Sequence, residues 1–172
     1  MSEISRYSYF KLILEKGPII LLVISVLNEF DLNYLNLKYF SFNFPFILIY
    51  YWSLKKPSSI GHGLIFITGL FNDAVVGLPI GISALAYLLI CGFSAYLRNI
   101  TLRPSLVKDW FFFGFTILVV NSVIYVVVSL FFHIQIIYVD ILVNILFTFL
   151  LYVIFSNLFD YYQRLVFGAV ND

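Results

Sequence analysis

Asp73 is the residue whose type and position most strongly suggest chemistry in this chain. It is the only charged side chain between Lys56 and Arg98, within otherwise apolar sequence. A carboxylate at the centre of a lipid-facing helix costs roughly 2.5 to 3.5 kcal/mol, so such a group normally faces protein, polar partners or water. Three roles are open for Asp73: a structural hydrogen-bond centre, a contact with a partner or second copy, or a group used in transport or catalysis.

Polar side chains also recur at every fourth position along the last apolar segment of the chain. The set comprises Asp140, Asn144, Thr148, Tyr152, Ser156 and Asp160. Asn121 and Ser122 lie in the middle of the preceding segment. Because four residues overshoot one helical turn by about 40°, this polar ridge winds around its helix and cannot face a single partner. Hydrogen bonding between helices explains the ridge most simply, and a polar transport path is the alternative.

Catalysis within a membrane would need a nucleophile beside a base, a metal cluster or paired carboxylates. His62 and His133 are predicted at opposite ends of their helices, about 30 Å apart across the hydrocarbon, so they cannot share a metal. Asp73 and Asp140 are the one carboxylate pair that could serve as general acid and base. Cys91 is the single cysteine and is predicted to be a small packing residue. We therefore expect a protein that is not an enzyme, with no metal and no cofactor.

The composition indicates an integral membrane protein. Of the 172 residues, 62% are hydrophobic and 11% are charged, and the mean hydropathy is +1.00. A soluble domain carries about 25% charged residues. A net charge of +1 without a basic cluster argues against a nucleic-acid partner. Because the predicted loops are short, we expect a single transmembrane domain over residues 1–172 that acts in or near the lipid bilayer.

The predicted fold is an all-α bundle of six transmembrane helices. These helices are expected near residues 12–30, 40–55, 59–77, 80–98, 109–131 and 138–159. The first contains the shortest uncharged run, 17–28, a length that also suits an interfacial helix. Nine of the ten Lys and Arg residues fall on one side of this arrangement, which by the positive-inside rule places both termini in the cytoplasm. Trp52 and Trp110 lie beside Lys55 and Lys108, as interfacial aromatic anchors would.

The third and fourth helices are predicted to form a tight hairpin that contains Asp73. Gly69, Asp73 and Gly77 recur at a spacing of four and so follow one ridge of the third helix. Small residues on this ridge let a neighbouring backbone come close. Pro79 and Gly81 follow in the turn, where proline cannot donate a backbone hydrogen bond and glycine permits positive φ. We expect the hairpin to form a rigid surface for a partner helix or a second copy.

These hairpin residues resemble the signature of the MreD family, small membrane proteins of the bacterial rod-shape system. The matching residues are Gly69-Leu70-x-x-Asp73, Gly77-x-Pro79-x-Gly81, Ala84-Leu85, Leu88-Leu89 and Tyr96-Leu97. The resemblance implies a non-enzymatic, multi-pass scaffold of the bacterial inner (cytoplasmic) membrane that binds MreC and associates as a homodimer. It further implies an assembly with MreB, RodZ, RodA and a penicillin-binding transpeptidase, which directs peptidoglycan synthesis and maintains rod shape.

The same resemblance implies a fold similar to the membrane-embedded substrate-binding subunits of energy-coupling-factor transporters. The alternative function is therefore a substrate-binding subunit of a transporter for a vitamin or another small molecule. The polar ridge of the last helix favours this alternative. Against it, the predicted outer loops show no evident cluster of polar side chains that would bind a ligand.

Overall fold

A computed structural model describes residues 16–27, 42–101, 105–132 and 138–167 of the chain. Within these ranges 90% of the residues are helical and none forms a strand, so the all-α prediction is confirmed. The α-helices are α1 (Gly17–Leu27), α2 (Phe44–Lys55), α3 (His62–Val76), α4 (Ile82–Ile100), α5 (Leu106–Val127) and α6 (Tyr138–Phe167). A π-helical turn, Val128–Phe132, extends α5.

Three of the described helices are long and apolar enough to cross a membrane. These segments are Ile82–Ile100, Leu106–Phe132 and Tyr138–Leu165, with 19, 27 and 28 residues. The apolar helices α1 and α3 are shorter. At about 1.5 Å per residue, the 15 residues of α3 extend about 22 Å, less than the hydrocarbon thickness of about 30 Å. The three long helices indicate a membrane protein, in agreement with the composition.

Helix α2 lies at the centre of the bundle. Ten of its twelve residues are buried, and it packs against α1, α4 and α6. A helix that is apolar on all sides can be surrounded by other helices or by lipid, and here it is surrounded by other helices. The prediction that Trp52 is an aromatic anchor in contact with the membrane interface is wrong, because its side chain is fully buried among the helices. Trp110 is half-buried, and its ring stacks on Phe149 at 4.6 Å.

Aromatic rings tie α2 to the two longest helices. The ring of Phe113 in α5 stacks on Tyr152 of α6 with their centroids 4.5 Å apart. The same ring lies 4.9 Å from that of Tyr50 in α2. Such pairs contribute about 0.5 to 1.5 kcal/mol each beyond the burial of their area. The three helices are therefore fixed relative to one another near the middle of the bundle.

The bundle has two chemically different ends, because successive helices run in opposite directions. The hairpin end contains the turn at residues 77–81 and the start of α2. The lysine end contains Lys55, which contacts Asp109 at the start of α5. Gly17 lies against the Tyr162 hydroxyl, which places the start of α1 at the lysine end as well. The described Lys and Arg residues all belong to the lysine end: Lys16, Lys55, Lys56, Arg98, Lys108 and Arg164.

Candidate functional site

Asp73 is fully buried near the end of α3, and its carboxylate accepts hydrogen bonds from the backbone at the start of α4. The Gly81 N–H donates to Oδ2 and the Ser83 N–H donates to Oδ1, both at 2.7 Å. The first N–H groups of a helix have no partner within that helix and carry partial positive charge. Asp73 therefore caps α4 from the neighbouring helix, and this accounts for a carboxylate inside an apolar bundle.

The backbone of the same residue ends α3. The Asp73 carbonyl accepts the N–H groups of Gly77 and Leu78, the second at 3.0 Å. Together with the φ of 75° at Gly77, the bond from Leu78 forms a Schellman C-cap. Gly81 also has positive φ, at 106°, where the chain enters α4. One residue thus closes α3 through its carbonyl and opens α4 through its carboxylate.

Gly69 allows α3 and α4 to come into close contact. It faces the backbone of Ala84, and a Cβ placed on Gly69 would lie 2.7 Å from the Ala84 nitrogen. One turn further along, the Asn72 side chain donates to the Ser83 hydroxyl at 2.8 Å. Pro79 is half-buried in the turn, and its carbonyl accepts the N–H at the start of α4. The structure thus brings the sequence-predicted hairpin residues together in one element.

The polar residues predicted along α6 face several different surroundings. Asp140 is exposed in the first turn of the helix. Thr148 is buried, and its hydroxyl accepts the backbone N–H of Asn43 at 2.9 Å, at the start of α2. Asp160 accepts a hydrogen bond from the Tyr51 hydroxyl near the lysine end. The ridge therefore winds around α6, and two of its members, Thr148 and Asp160, accept hydrogen bonds from α2 and its N-terminus.

The structure also brings Asn121 and Asn144 together, around a cavity of about 500 Å³ at the hairpin end. Among the described residues, its lining includes the polar side chains of Ser25, Asn43, Asn72, Ser83, Asn121 and Asn144. Sequence reasoning considered Asn121 and Asn144 as parts of two separate helices and did not connect them with Asn72. Their convergence depends on the packing of α4 against α3 and α5, and of α5 against α6, which periodicity within one helix does not reveal.

A second set of polar contacts lies at the lysine end, and sequence reasoning missed it. Asp109 is buried, and its carboxylate lies 2.8 Å from the Lys55 ammonium across α2 and α5. The Arg98 guanidinium donates to the Ser53 carbonyl at 3.0 Å, joining α4 to α2. In the sequence, the adjacent charges Lys108 and Asp109 were the feature that could have indicated this contact, but such a pair equally suits an exposed interfacial segment.

The remaining candidates for chemistry are dispersed. Among the described residues, no three His, Cys, Asp or Glu side chains form a group that could hold a metal ion. His62 is exposed at the start of α3, and His133 lies outside the described residues. Asp140 is exposed whereas Asp73 is fully buried, so the two carboxylates have different surroundings. Cys91 is buried in the core.

Comparisons with protein-family models, curated proteins and solved structures found no match to the chain. The hairpin geometry and the resemblance carried by residues 69–97 are the features from which a function can be inferred.

Proposed function

We propose that this chain is a non-enzymatic scaffold of the bacterial inner membrane that binds MreC within the cell-wall elongation complex and helps to maintain rod shape. The observation that carries the proposal is the double role of Asp73. Both carboxylate oxygens accept backbone N–H groups of α4, and the carbonyl ends α3. A residue used in this way builds a hairpin of fixed shape, and the resemblance to MreD supplies the partner.

The proposed contact surface is the outer stripe of α3, on the side away from the cavity. Its members are Leu64, Ile67, Phe71 and Val75, all more than two-fifths exposed. Spacings of three and four residues put these side chains on one face of the helix. Helices in a bilayer associate by van der Waals packing because lipid is as apolar as they are. A single spanning helix of MreC would pack along this α3 stripe.

The proposed topology has six membrane-embedded helices with both termini in the cytoplasm. Its support is the position of the described Lys and Arg residues at the lysine end, since cytoplasmic segments carry an excess of basic residues. The hairpin end would then lie towards the outer leaflet. By the same resemblance, we propose a homodimer that assembles with MreB, RodZ, RodA and a penicillin-binding transpeptidase.

Co-purification of MreC with stripe variants tests the contact directly. We expect Ile67→Trp to reduce the MreC recovered per mole of chain several-fold, because the indole disrupts packing along the stripe. Leu146→Trp is the matched control, since Leu146 is similarly exposed but lies on α6. MreC recovery that is equal for the wild type and both variants, with the chain folded, would contradict the proposed surface.

Depletion in the source bacterium tests the cellular role. We expect rod-shaped cells to become spherical and MreC to lose its localisation, with rescue by the wild type and Leu146→Trp but not by Ile67→Trp. Rods of normal shape after depletion would rule out the proposal. Retention of a vitamin through purification, without binding of MreC, would instead support a transporter subunit.

A further inference from the structure

The cavity at the hairpin end has the size and position of a ligand site. Its volume of about 500 Å³ lies within the range of about 300 to 1,000 Å³ that is usual for small-molecule pockets. Three helices each contribute an amide side chain to its lining, Asn72 from α3, Asn121 from α5 and Asn144 from α6. Amides in an apolar bundle are costly unless they meet hydrogen-bonding partners. Each side-chain amide offers up to four hydrogen-bonding positions, so three of them around one space form a lining that suits a polar occupant.

The lining offers both donors and acceptors. Asn43 accepts the Phe46 N–H through its side-chain oxygen at 3.2 Å, and its amide nitrogen has no partner in the described part of the chain. Asn121 donates to the Ile117 carbonyl at 2.8 Å, and within the same ranges its amide oxygen accepts no hydrogen bond. A side-chain amide can donate two and accept two hydrogen bonds. A ligand that both donates and accepts would satisfy these groups, as hydroxyl groups do.

The lining also indicates that the ligand is uncharged. Over the described residues it contains no carboxylate, ammonium, guanidinium or imidazole group, so a charged ligand would have no counter-ion. The nearby carboxylate of Asp73 is fully buried and already bonded to α4. Phe44, Phe46 and Tyr87 add aromatic surface for the apolar face of a ring or chain. We infer that this cavity binds an uncharged molecule with several hydroxyl groups, presented by a glycolipid headgroup or by a free sugar.

Native mass spectrometry of the full chain distinguishes these two sources. The chain is purified in an amine-oxide detergent, because sugar detergents would compete, and is titrated with monoglucosyl diacylglycerol, diacylglycerol, glucuronosyl diacylglycerol or methyl β-glucoside. We expect the glucosyl lipid to bind about tenfold more tightly than either of the other lipids, since several hydrogen bonds distinguish them. Binding of methyl β-glucoside with no preference among the lipids would identify a free sugar. Equal binding of the three lipids without binding of methyl β-glucoside would overturn the inference.

Two neighbouring variants of α5 locate the binding to the cavity. Asn121→Leu and Ser122→Leu each remove a side chain that donates to its own helix at 2.8 Å, but Ser122 is exposed and does not line the cavity. The probe is whichever glucoside binds to the wild type, monoglucosyl diacylglycerol or methyl β-glucoside. We expect Asn121→Leu to weaken its binding about fivefold, by loss of one hydrogen bond, and Ser122→Leu to bind it as the wild type does. Unchanged binding by Asn121→Leu would overturn the assignment. This variant should still bind MreC, so failure here is distinguishable from failure of the proposed scaffold.

Discussion

The two ends of the bundle accommodate buried aspartates in different ways. At the hairpin end, Asp73 is held by two backbone N–H groups that carry no formal charge. At the lysine end, Asp109 is held by the ammonium of Lys55, whose side chain is 25% exposed. A buried ion pair requires two charges to leave water, whereas a capped carboxylate requires one. The capped Asp73 is therefore suited to a dry apolar setting, and the Lys55–Asp109 pair to a wet interface.

The two ends of the bundle also depend on different interactions for their stability. The hairpin end depends on backbone geometry, because its donors reach Asp73 only while α3 and α4 stay close and the turn keeps its shape. The lysine end depends on charge, because Lys55 and Asp109 stabilise each other. Substitutions that fill the space between α3 and α4, or that strain the backbone of the turn, should therefore destabilise the hairpin end. At the lysine end, replacement of both Lys55 and Asp109 by apolar residues should be tolerated.

The largest effect is expected from Asp73→Leu, which leaves two N–H groups at the start of α4 without their acceptor. The loss of this cap should lower the free energy of unfolding by roughly 2 to 4 kcal/mol. Denaturant titration in amine-oxide micelles measures this free energy. Asp73→Asn is the isosteric comparison, and because it keeps one acceptor its stability should fall between those of the wild type and Asp73→Leu. An Asp73→Leu variant as stable as the wild type would show that the hairpin end does not depend on the Asp73 cap.

Gly69→Ala should have the next largest effect, because the added methyl group would meet the backbone of Ala84 and force α3 away from α4. Overpacking of this kind costs about 1 to 3 kcal/mol. Gly63→Ala is the matched control in the same helix, since its Cβ meets nothing within 4 Å. It should be neutral or stabilising, as alanine favours helix over glycine. Equal destabilisation by both, in thermal unfolding, would show that space at Gly69 is not limiting.

Lys55→Met tests the lysine end by leaving the Asp109 carboxylate buried without its cation. Because Lys55 is partly exposed, the loss should be about 1 to 2 kcal/mol, between the values for surface and fully buried pairs. The double variant Lys55→Met with Asp109→Leu should recover most of this stability, since an apolar pair has no desolvation cost. A double variant less stable than Lys55→Met alone would assign Asp109 a role beyond pairing.

Gly81→Ala should have the smallest effect. At a φ of 106° an L-residue is strained, and the added Cβ meets nothing within 4 Å, so the cost is conformational and about 1 kcal/mol. Gly92→Ala within α4, where the Cβ also meets nothing, provides the comparison without strain. Thermal midpoints that are the same for the two variants would argue against a turn that depends on backbone conformation.

Part of the hairpin could be predicted because its residues differ clearly from the apolar sequence around them. Asp73 stands out as a lone charge in a long apolar stretch, and Gly77, Pro79 and Gly81 indicate a turn from their backbone preferences alone. The donors to Asp73 could not be predicted, because a cap supplied from a neighbouring helix depends on the distance between two helices. That distance is set by Gly69 against the backbone of Ala84.

The central position of α2 and its contacts could not be predicted from the sequence, for a different reason. A helix inside a membrane bundle and one that faces lipid are both apolar, so composition does not separate them. Trp52 beside Lys55 therefore suited an interfacial anchor, although it lies in the core. Asp109 beside Lys108 likewise suited an exposed pair of charges, although it is buried against Lys55. Only packing among several helices distinguishes these cases.

Amide hydrogen exchange at Gly81 and Ser83, with the full chain in bilayer nanodiscs, tests most directly whether Asp73 builds the hairpin. Slow exchange of both amides is expected in the wild type, because each donates to a buried carboxylate at 2.7 Å. In Asp73→Leu both should exchange much faster, while the Ile90 amide in the middle of α4 stays protected. Fast exchange at Gly81 and Ser83 in the wild type, or slow exchange that Asp73→Leu leaves unchanged, would contradict the account.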